Sequence, residues 1–289
     1  MIAELVVEVG PLWHERHRAA LTSRPRRRAV GAGAKHKLVF VDRLLATLVH
    51  LRHGATHDVL ACWFGVDRST ITRAIGEVRP LLAIRGCTIA PGVRLRTLAE
   101  VIDHLGSSGQ TGIIDGTEIR VRRPAAGRKD REKFISGKNK QNAVKSMVVT
   151  DAEGRLLFCS PAQPASCADI THARQLGLVK LLAGGPAVEI LADAGYQGLG
   201  AQTGGRVVTP PHRKFKKNAP DWYEEIYERQ RQAHSSRRIR VEHGIAHLKN
   251  WRALTRHHGR REHMTDTIQA VAGLLSHQQT ATLMADERM

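Results

Sequence analysis

Residues 111–121 read TGIIDGTEIRV and residues 188–195 read VEILADAG, two apolar runs that each carry one aspartate. Ile113, Ile114, Ile119 and Val121 predict a strand around Asp115, and the second run predicts a strand that ends at Asp193. Burying an ionised carboxylate without a partner costs several kcal/mol, so an apolar strand that carries one needs a reason. A third acid, Glu242, lies in residues 235–249, SSRRIRVEHGIAHLK, read as part of a long helix somewhere between Asp221 and Arg256. Glu118 falls on the other face of the first strand from Asp115, because successive side chains alternate, and is the weaker candidate.

Working outward, the first strand is followed by a basic loop, RRPAAGRKDREKFISGKNK (122–140). AVKSMVVTDAEG (143–154) and RLLFCSPAQ (155–163) then read as a hairpin closed at Asp151 to Gly154. A helix is expected from about Ile170 to Leu182 with Asp169 as its cap, and RVVTP (206–210) gives a further strand. Three antiparallel strands, a helix, two strands and a helix are the element order of a ribonuclease H-like fold. The fold class is therefore α/β, a ribonuclease H-like mixed sheet with flanking helices, preceded by an all-α unit. In such a sheet the first strand neighbours the strand after the first helix, which brings Asp115 and Asp193 together, and Glu242 on the later helix can close the cluster. Carboxylates gathered at one point suit Mg²⁺, and two ions about 4 Å apart suit in-line phosphoryl displacement.

The all-α unit starts with Leu38, Val41, Leu44, Leu45, Leu48 and Leu51 on one helical face. A short helix from about His57 to Phe64 follows, Gly65 supplies a turn, and a third helix opens at Asp67 with Ile71, Ile75 and Val78 inward. This is a helix-turn-helix pattern, and Arg68, Ser69, Thr70 and Arg73 stand where side chains reach bases and phosphates in a major groove. The division that follows is 1–37 basic arm (with the run SRPRRRAVGAGAKHK), 38–84 helix-turn-helix, 85–110 linker with one short helix, 111–262 catalytic unit and 263–289 C-terminal helix.

Composition agrees with a polyanion partner: Lys and Arg number 45 against 27 Asp and Glu, a net charge of +18. No apolar stretch approaches the roughly 20 residues that span a bilayer, and the N-terminal MIAELVVEVG makes a poor signal peptide. The expectation is an intracellular protein with no membrane partner, cytoplasmic and nucleoid-associated. Cys62, Cys87, Cys159 and Cys167 form no CxxC pair and read as reduced thiols; His50, His53, His257 and His258 read as surface or DNA-facing.

IDGTEIRVRRP, SGKNKQNAVKSMVVTDAEG, LADAGYQG and RRIRVEHGIAHLKNWRAL together resemble the bacterial insertion-sequence transposases of family five, within the DDE superfamily of endonucleases that carry a helix-turn-helix ahead of the catalytic unit. The resemblance runs from about residue 40 to 260. Its most specific part is a tyrosine, arginine, glutamate and lysine signature, whose last three positions are Arg238, Glu242 and Lys249 and whose first is Ser235. Where the family often has His-Asp before the first helix, this chain has Ala168-Asp169. The resemblance implies that Asp115, Asp193 and Glu242 hold Mg²⁺ or Mn²⁺, that Arg238 and Lys249 bind phosphate, and that the partner is double-stranded DNA, as element terminal repeats and as target. It also implies hydrolysis followed by strand transfer, and a homo-oligomer on DNA that pairs two ends. Two other readings stay open: a catalytically inactive or recruited DNA-binding protein, and a ribonuclease H-like nuclease with no role in transposition.

Overall fold

In a computed structural model, the structure describes residues 1–23, 37–127, 129–215, 219–257 and 259–286. The chain opens with α1 (Ile2–Thr22), α2 (Phe40–His53), α3 (His57–Phe64) and α4 (Arg68–Ala83). The Thr56 hydroxyl caps α3 by accepting from the Val59 amide at 3.3 Å. Gly65, at φ 61°, makes the left-handed turn into α4 that favours glycine. Leu38, Ala46, Leu60, Ala61, Ile71, Ala74 and Ile75 close a small helical core. The second half of α4 carries Val78, Leu81 and Leu82 onward into the main core of the protein.

Where the sequence predicts a basic arm over 1–37, residues 2–22 form a helix. Leu5, Val9 and Trp13, each four residues from the next, make one buried stripe. Trp13 Nε1 donates to Glu77 Oε2 at 2.9 Å, joined there by Arg43 Nη1 at 2.8 Å. Pro11 lies inside this helix, where it removes a backbone donor and crowds the carbonyl four residues earlier, and the buried stripe outweighs that cost. Residues 24–36, which hold most of the basic run, lie outside the described residues.

The stretch 85–110 holds the expected short helix but is more than a linker. It folds as β1 (Cys87–Ala90), β2 (Val93–Leu95) and α5 (Leu98–Ser108), with a capping box of Thr97 and Glu100. Pro91-Gly92 is the turn of a hairpin, and Leu98, Val101, Ile102 and Leu105 are buried under the sheet.

The sheet follows: β3 (Gly112–Val121), β4 (Ala143–Thr150), β5 (Leu156–Cys159) and β6 (Gln163–Pro164). After these come α6 (Asp169–Gln175), α7 (Leu178–Gly184), β7 (Ile190–Leu191), α8 (Leu199–Gln202) and β8 (Val207–Val208). The chain ends with α9 (Asp221–Lys249), α10 (Arg252–Thr255), β9 (Arg256–His257) and α11 (Met264–Asp286). The strand order is β5-β4-β3-β7-β8, with the first three antiparallel and β3, β7 and β8 parallel. That order and those directions are the ribonuclease H-like sheet. One predicted helix, 170–182, is two, because Gly177 at φ 80° separates α6 from α7.

Side chains alternate along β3, so Ile113 and Ile119 face one core and Ile114 the other. The first core holds Val241 and Leu248 of α9 and Met264, Ile268, Val271 and Leu274 of α11, and the second is covered by α5, α6, α7 and α8. Helix α11 is part of the body of the protein, packed on α4, β1 and β5. His257, expected at the surface, is buried in β9 beside β3, and desolvation pushes its pKa down to about 4. His258 lies outside the described residues. Among the described residues, no helix is long and apolar enough to cross a membrane.

Candidate active site and nucleic-acid interface

Parallel pairing of β3 with β7 ends at Ile113 and Leu191. Asp115 and Asp193 each lie two residues beyond that last pair, and Asp193 is still extended at φ −79° and ψ −178°. A period of two puts both carboxylates on the face of Ile113 and Leu191, at one level of the sheet. Strand β9 pairs with β3 only from Arg120 onward, so the edge of β3 between β7 and β9 is left open beside Asp115.

Asp115 Oδ1 accepts from the Gly116 amide at 2.7 Å, and Arg238 Nη2 stands 3.3 Å from Asp115 Oδ2. Desolvation pushes the Asp115 carboxyl up to about 6; Arg238 opposes the rise, and the negative charges of Asp193 and Asp169 add to it. Asp193 Oδ1 accepts from the Gly195 amide at 2.9 Å. His234, one turn before Arg238 on α9, lies against the Val208 carbonyl at 3.2 Å, and desolvation lowers its pKa.

The raised carboxyl makes a stability prediction. Below the unfolded carboxyl value of 3.8 Asp115 is protonated in both states, and stability is then lost as pH rises through about 6, where the folded state must give up its proton. The loss is on the order of 2–3 kcal/mol. Asp115→Asn raises the melting temperature at pH 7.5 in EDTA and leaves it unchanged at pH 3.5; equal melting at both pH values contradicts the assignment.

Arg238 is nearly enclosed, and its Nε is buried without a hydrogen-bond acceptor. Glu242, one turn further along α9, and Lys249, at its end, are exposed. Among the described residues, no three Asp, Glu, His or Cys side chains stand together at metal-ligand spacing. The structure thus brings together Asp115, Asp193 and Arg238, while Glu242 and Lys249 stand on the same helix outside that group. The residues present fit a hard cation in kind: the donors are carboxylates, and a guanidinium already neutralises one of them.

Asp169 corrects the sequence reading. The N-cap of α6 is Ala168, with no side-chain cap bond, and Asp169 is the first residue of the helix. Its carboxylate lies 3.1 Å from the buried Lys145 Nζ, against Gly116 and Gly195, which flank the two strand-end aspartates. Local spacing alone suggests a cap, because the partner lies on a distant strand. Tyr196 is buried in the core beneath α6, and Trp251 is buried with Arg52 over its ring at 5.2 Å, so both pack.

In the helix-turn-helix, Arg68, Ser69 and Arg73 are exposed on the first turns of α4 and Thr70 is half-buried. Arg68 Nε lies 3.3 Å from Asp58 Oδ1, an exposed pair of small energetic weight. These side chains are free to turn toward a phosphate.

A ribonuclease H-like sheet with paired aspartates at its splayed end, fused to a helix-turn-helix, defines a class of DNA-acting nuclease. The chain belongs to the DDE superfamily endonucleases, which it matches over residues 114–276, and it matches the helix-turn-helix of DDE superfamily endonucleases over 36–88. It is 28% identical over 228 residues, 78% of this chain and 75% of the relative, to a protein of Streptomyces albus G named as a transposase for insertion sequence element IS112. A protein of Microchaete diplosiphon, named as a transposase for insertion sequence element IS702, is 23% identical over 58% of this chain and 56% of its own length. Among solved structures, the Mos1 transposase paired-end complex with left transposon end aligns over 90% of this chain and 86% of that one, at 12% identity and a TM-score of 0.20. The mariner Mos1 paired end complex with Mg aligns over 83% and 85%, at 14% identity and a TM-score of 0.21. Superpositions this loose do not relate the geometries.

Proposed function

We propose that the protein is a transposase that binds the ends of its own element through α3 and α4 and cuts and rejoins DNA at the open edge of β3. The observation that carries this is the parallel register that sets Asp115 and Asp193 level on one face with Arg238 above them. Asp115 and Asp193 would hold the cation, and Glu242, exposed on α9, would be the third carboxylate available to it. Mg²⁺ or Mn²⁺, as two ions, would supply activation of the attacking oxygen and stabilisation of the leaving one.

Arg238 has two tasks. Without metal or DNA it neutralises Asp115; once a cation takes over that charge, its guanidinium is released to take a phosphate oxygen. Lys249 supplies a second, exposed phosphate contact on the same helix. The raised proton affinity of Asp115 makes cation binding pH-dependent, weakening below about 6 as the proton competes. Arg68, Ser69, Thr70 and Arg73 read the terminal repeat, and because α4 runs on into the main core, the reading helix and the cutting site move as one body. Two ends must be held at once, so the working form is a homo-oligomer on DNA, at the nucleoid of a bacterial cytoplasm. The relatives in Streptomyces albus G and Microchaete diplosiphon, both named as transposases, support this role.

The test is binding and cleavage of a duplex that carries the element's own end, in Mg²⁺, Mn²⁺ and EDTA. Cleavage in either metal and none in EDTA is expected. Binding with no cleavage in any condition favours the non-catalytic DNA-binding reading. Arg68→Ala with Arg73→Ala weakens binding to that end by about 1–3 kcal/mol for each base that these side chains read. The effect is smaller on unrelated DNA; unchanged binding moves recognition to another surface.

A further inference from the structure

We propose that Asp169 is a positioning residue of the cleavage site: tethered by Lys145 and seated in the space left by Gly116 and Gly195, it fixes the two backbone segments that carry Asp115 and Asp193. The inference rests on the reading of Asp115 and Asp193 as the cation-holding pair.

Gly116 directly follows Asp115, and Gly195 lies two residues after Asp193. A Cβ on Gly116 would come 2.4 Å from Asp169 Oδ1, and one on Gly195 would come 3.1 Å from Asp169 Oδ2 and 3.0 Å from Asp193 Oδ1. One carboxylate therefore fills the room that two missing side chains leave, one in β3 and one in the 3-10 turn that follows Asp193. Neither glycine has a positive φ, so a backbone conformation reserved for glycine does not explain them.

The seat is held from below. Lys145 projects from β4, its side chain only 10% exposed, with Nζ 3.1 Å from Asp169 Oδ1 and donating to the Cys167 carbonyl at 2.9 Å. The same ammonium thus forms an ion pair with the first residue of α6 and a hydrogen bond to the chain just before it. A helix cap requires neither a buried lysine nor two glycines. Burying a lysine ammonium costs several kcal/mol unless its pairing is well made, and gathering a third negative charge near Asp115 and Asp193 adds repulsion. Such an arrangement serves a site that a cation will neutralise, with Lys145 holding the third carboxylate in the cation's absence. Groups that orient metal ligands in this way are typically worth about 10–100-fold in metal affinity.

The test uses the full chain and Mn²⁺ as the probe. Calorimetric Mn²⁺ binding without DNA, thermal melting and binding to duplex DNA are compared for wild type, Asp169→Asn, Gly116→Ala, Asp169→Ala, the Gly116→Ala/Asp169→Ala double variant and Asp115→Asn. Asp169→Asn is expected to weaken Mn²⁺ binding about 10–100-fold while leaving DNA binding intact. Wild-type Mn²⁺ affinity in folded Asp169→Asn overturns the proposal, whatever its melting temperature. Should that variant fail to fold, the glycine cycle decides: Gly116→Ala lowers melting when Asp169 is present and has little effect once Asp169 is alanine. An equal Gly116→Ala effect in both backgrounds overturns the seat. Asp115→Asn separates the two layers, since undiminished Mn²⁺ binding there sinks the underlying reading, whereas loss there with none in Asp169→Asn sinks this inference alone.

Discussion

Asp193→Asn is expected to bind element-end DNA like the wild type and to lose about three orders of magnitude in Mg²⁺-dependent strand cleavage, ~4 kcal/mol of transition-state stabilisation. The substitution keeps the size of the side chain, and its oxygen can still accept from the Gly195 amide, which the wild-type carboxylate does at 2.9 Å. What it removes is the charge that a hard cation needs. Nothing in the α4 face is touched, because Asp193 lies past the end of β7 on the sheet. Equal cleavage by both proteins, or cleavage that survives EDTA, contradicts the assignment.

Removal of residues 264–289 is expected to leave a chain that does not fold. Met264, Ile268, Val271 and Leu274 are fully buried in the main core, against α4, β1 and β5. Hydrophobic burial on that scale is comparable to the whole stability margin of a typical protein, about 5–15 kcal/mol, and the surfaces of α4, β1 and β5 that α11 covers would be exposed as well. A graded version is Leu274→Ala, which costs about 2–5 kcal/mol and lowers the melting temperature by roughly 5–15 °C. A truncated protein with native circular dichroism and a cooperative melt would return α11 to the status of an appended helix.

The parts of the fold legible in the sequence are those whose pattern is local. Strand β3 announces itself by Ile113, Ile114, Ile119 and Val121, and the turn between β4 and β5 by Asp151 to Gly154. Helices α3 and α4 are readable because Thr56, Gly65 and Asp67 mark their ends. Helix α1 is missed because the run SRPRRRAVGAGAKHK sets the reading of the whole of 1–37, although Leu5, Val9 and Trp13 carry a helical spacing. The stretch around β1, β2 and α5 looks like a linker because turn residues have the same composition in a hairpin as in a tether.

For the site, Asp115 and Asp193 could be paired in advance because adjacent parallel strands in register set them level. The role of Arg238 without DNA could not, since a helical period places it near Glu242 but does not say which acid it meets. Asp169 depends on contacts with Lys145, Gly116 and Gly195 that no local window contains. The one local signal is a glycine one residue after Asp115 and another two residues after Asp193, each with no evident task until the third carboxylate is placed against it.

The most direct measurement of the central claim is a crystal of the full chain soaked in Mn²⁺ and examined by anomalous scattering. The account predicts a peak bound by the carboxylates of Asp115 and Asp193, at oxygen distances of about 2.0–2.2 Å, near those of hard-cation sites, with Arg238 displaced from Asp115. Manganese bound elsewhere, with Arg238 still paired to Asp115 at saturating Mn²⁺, would contradict it.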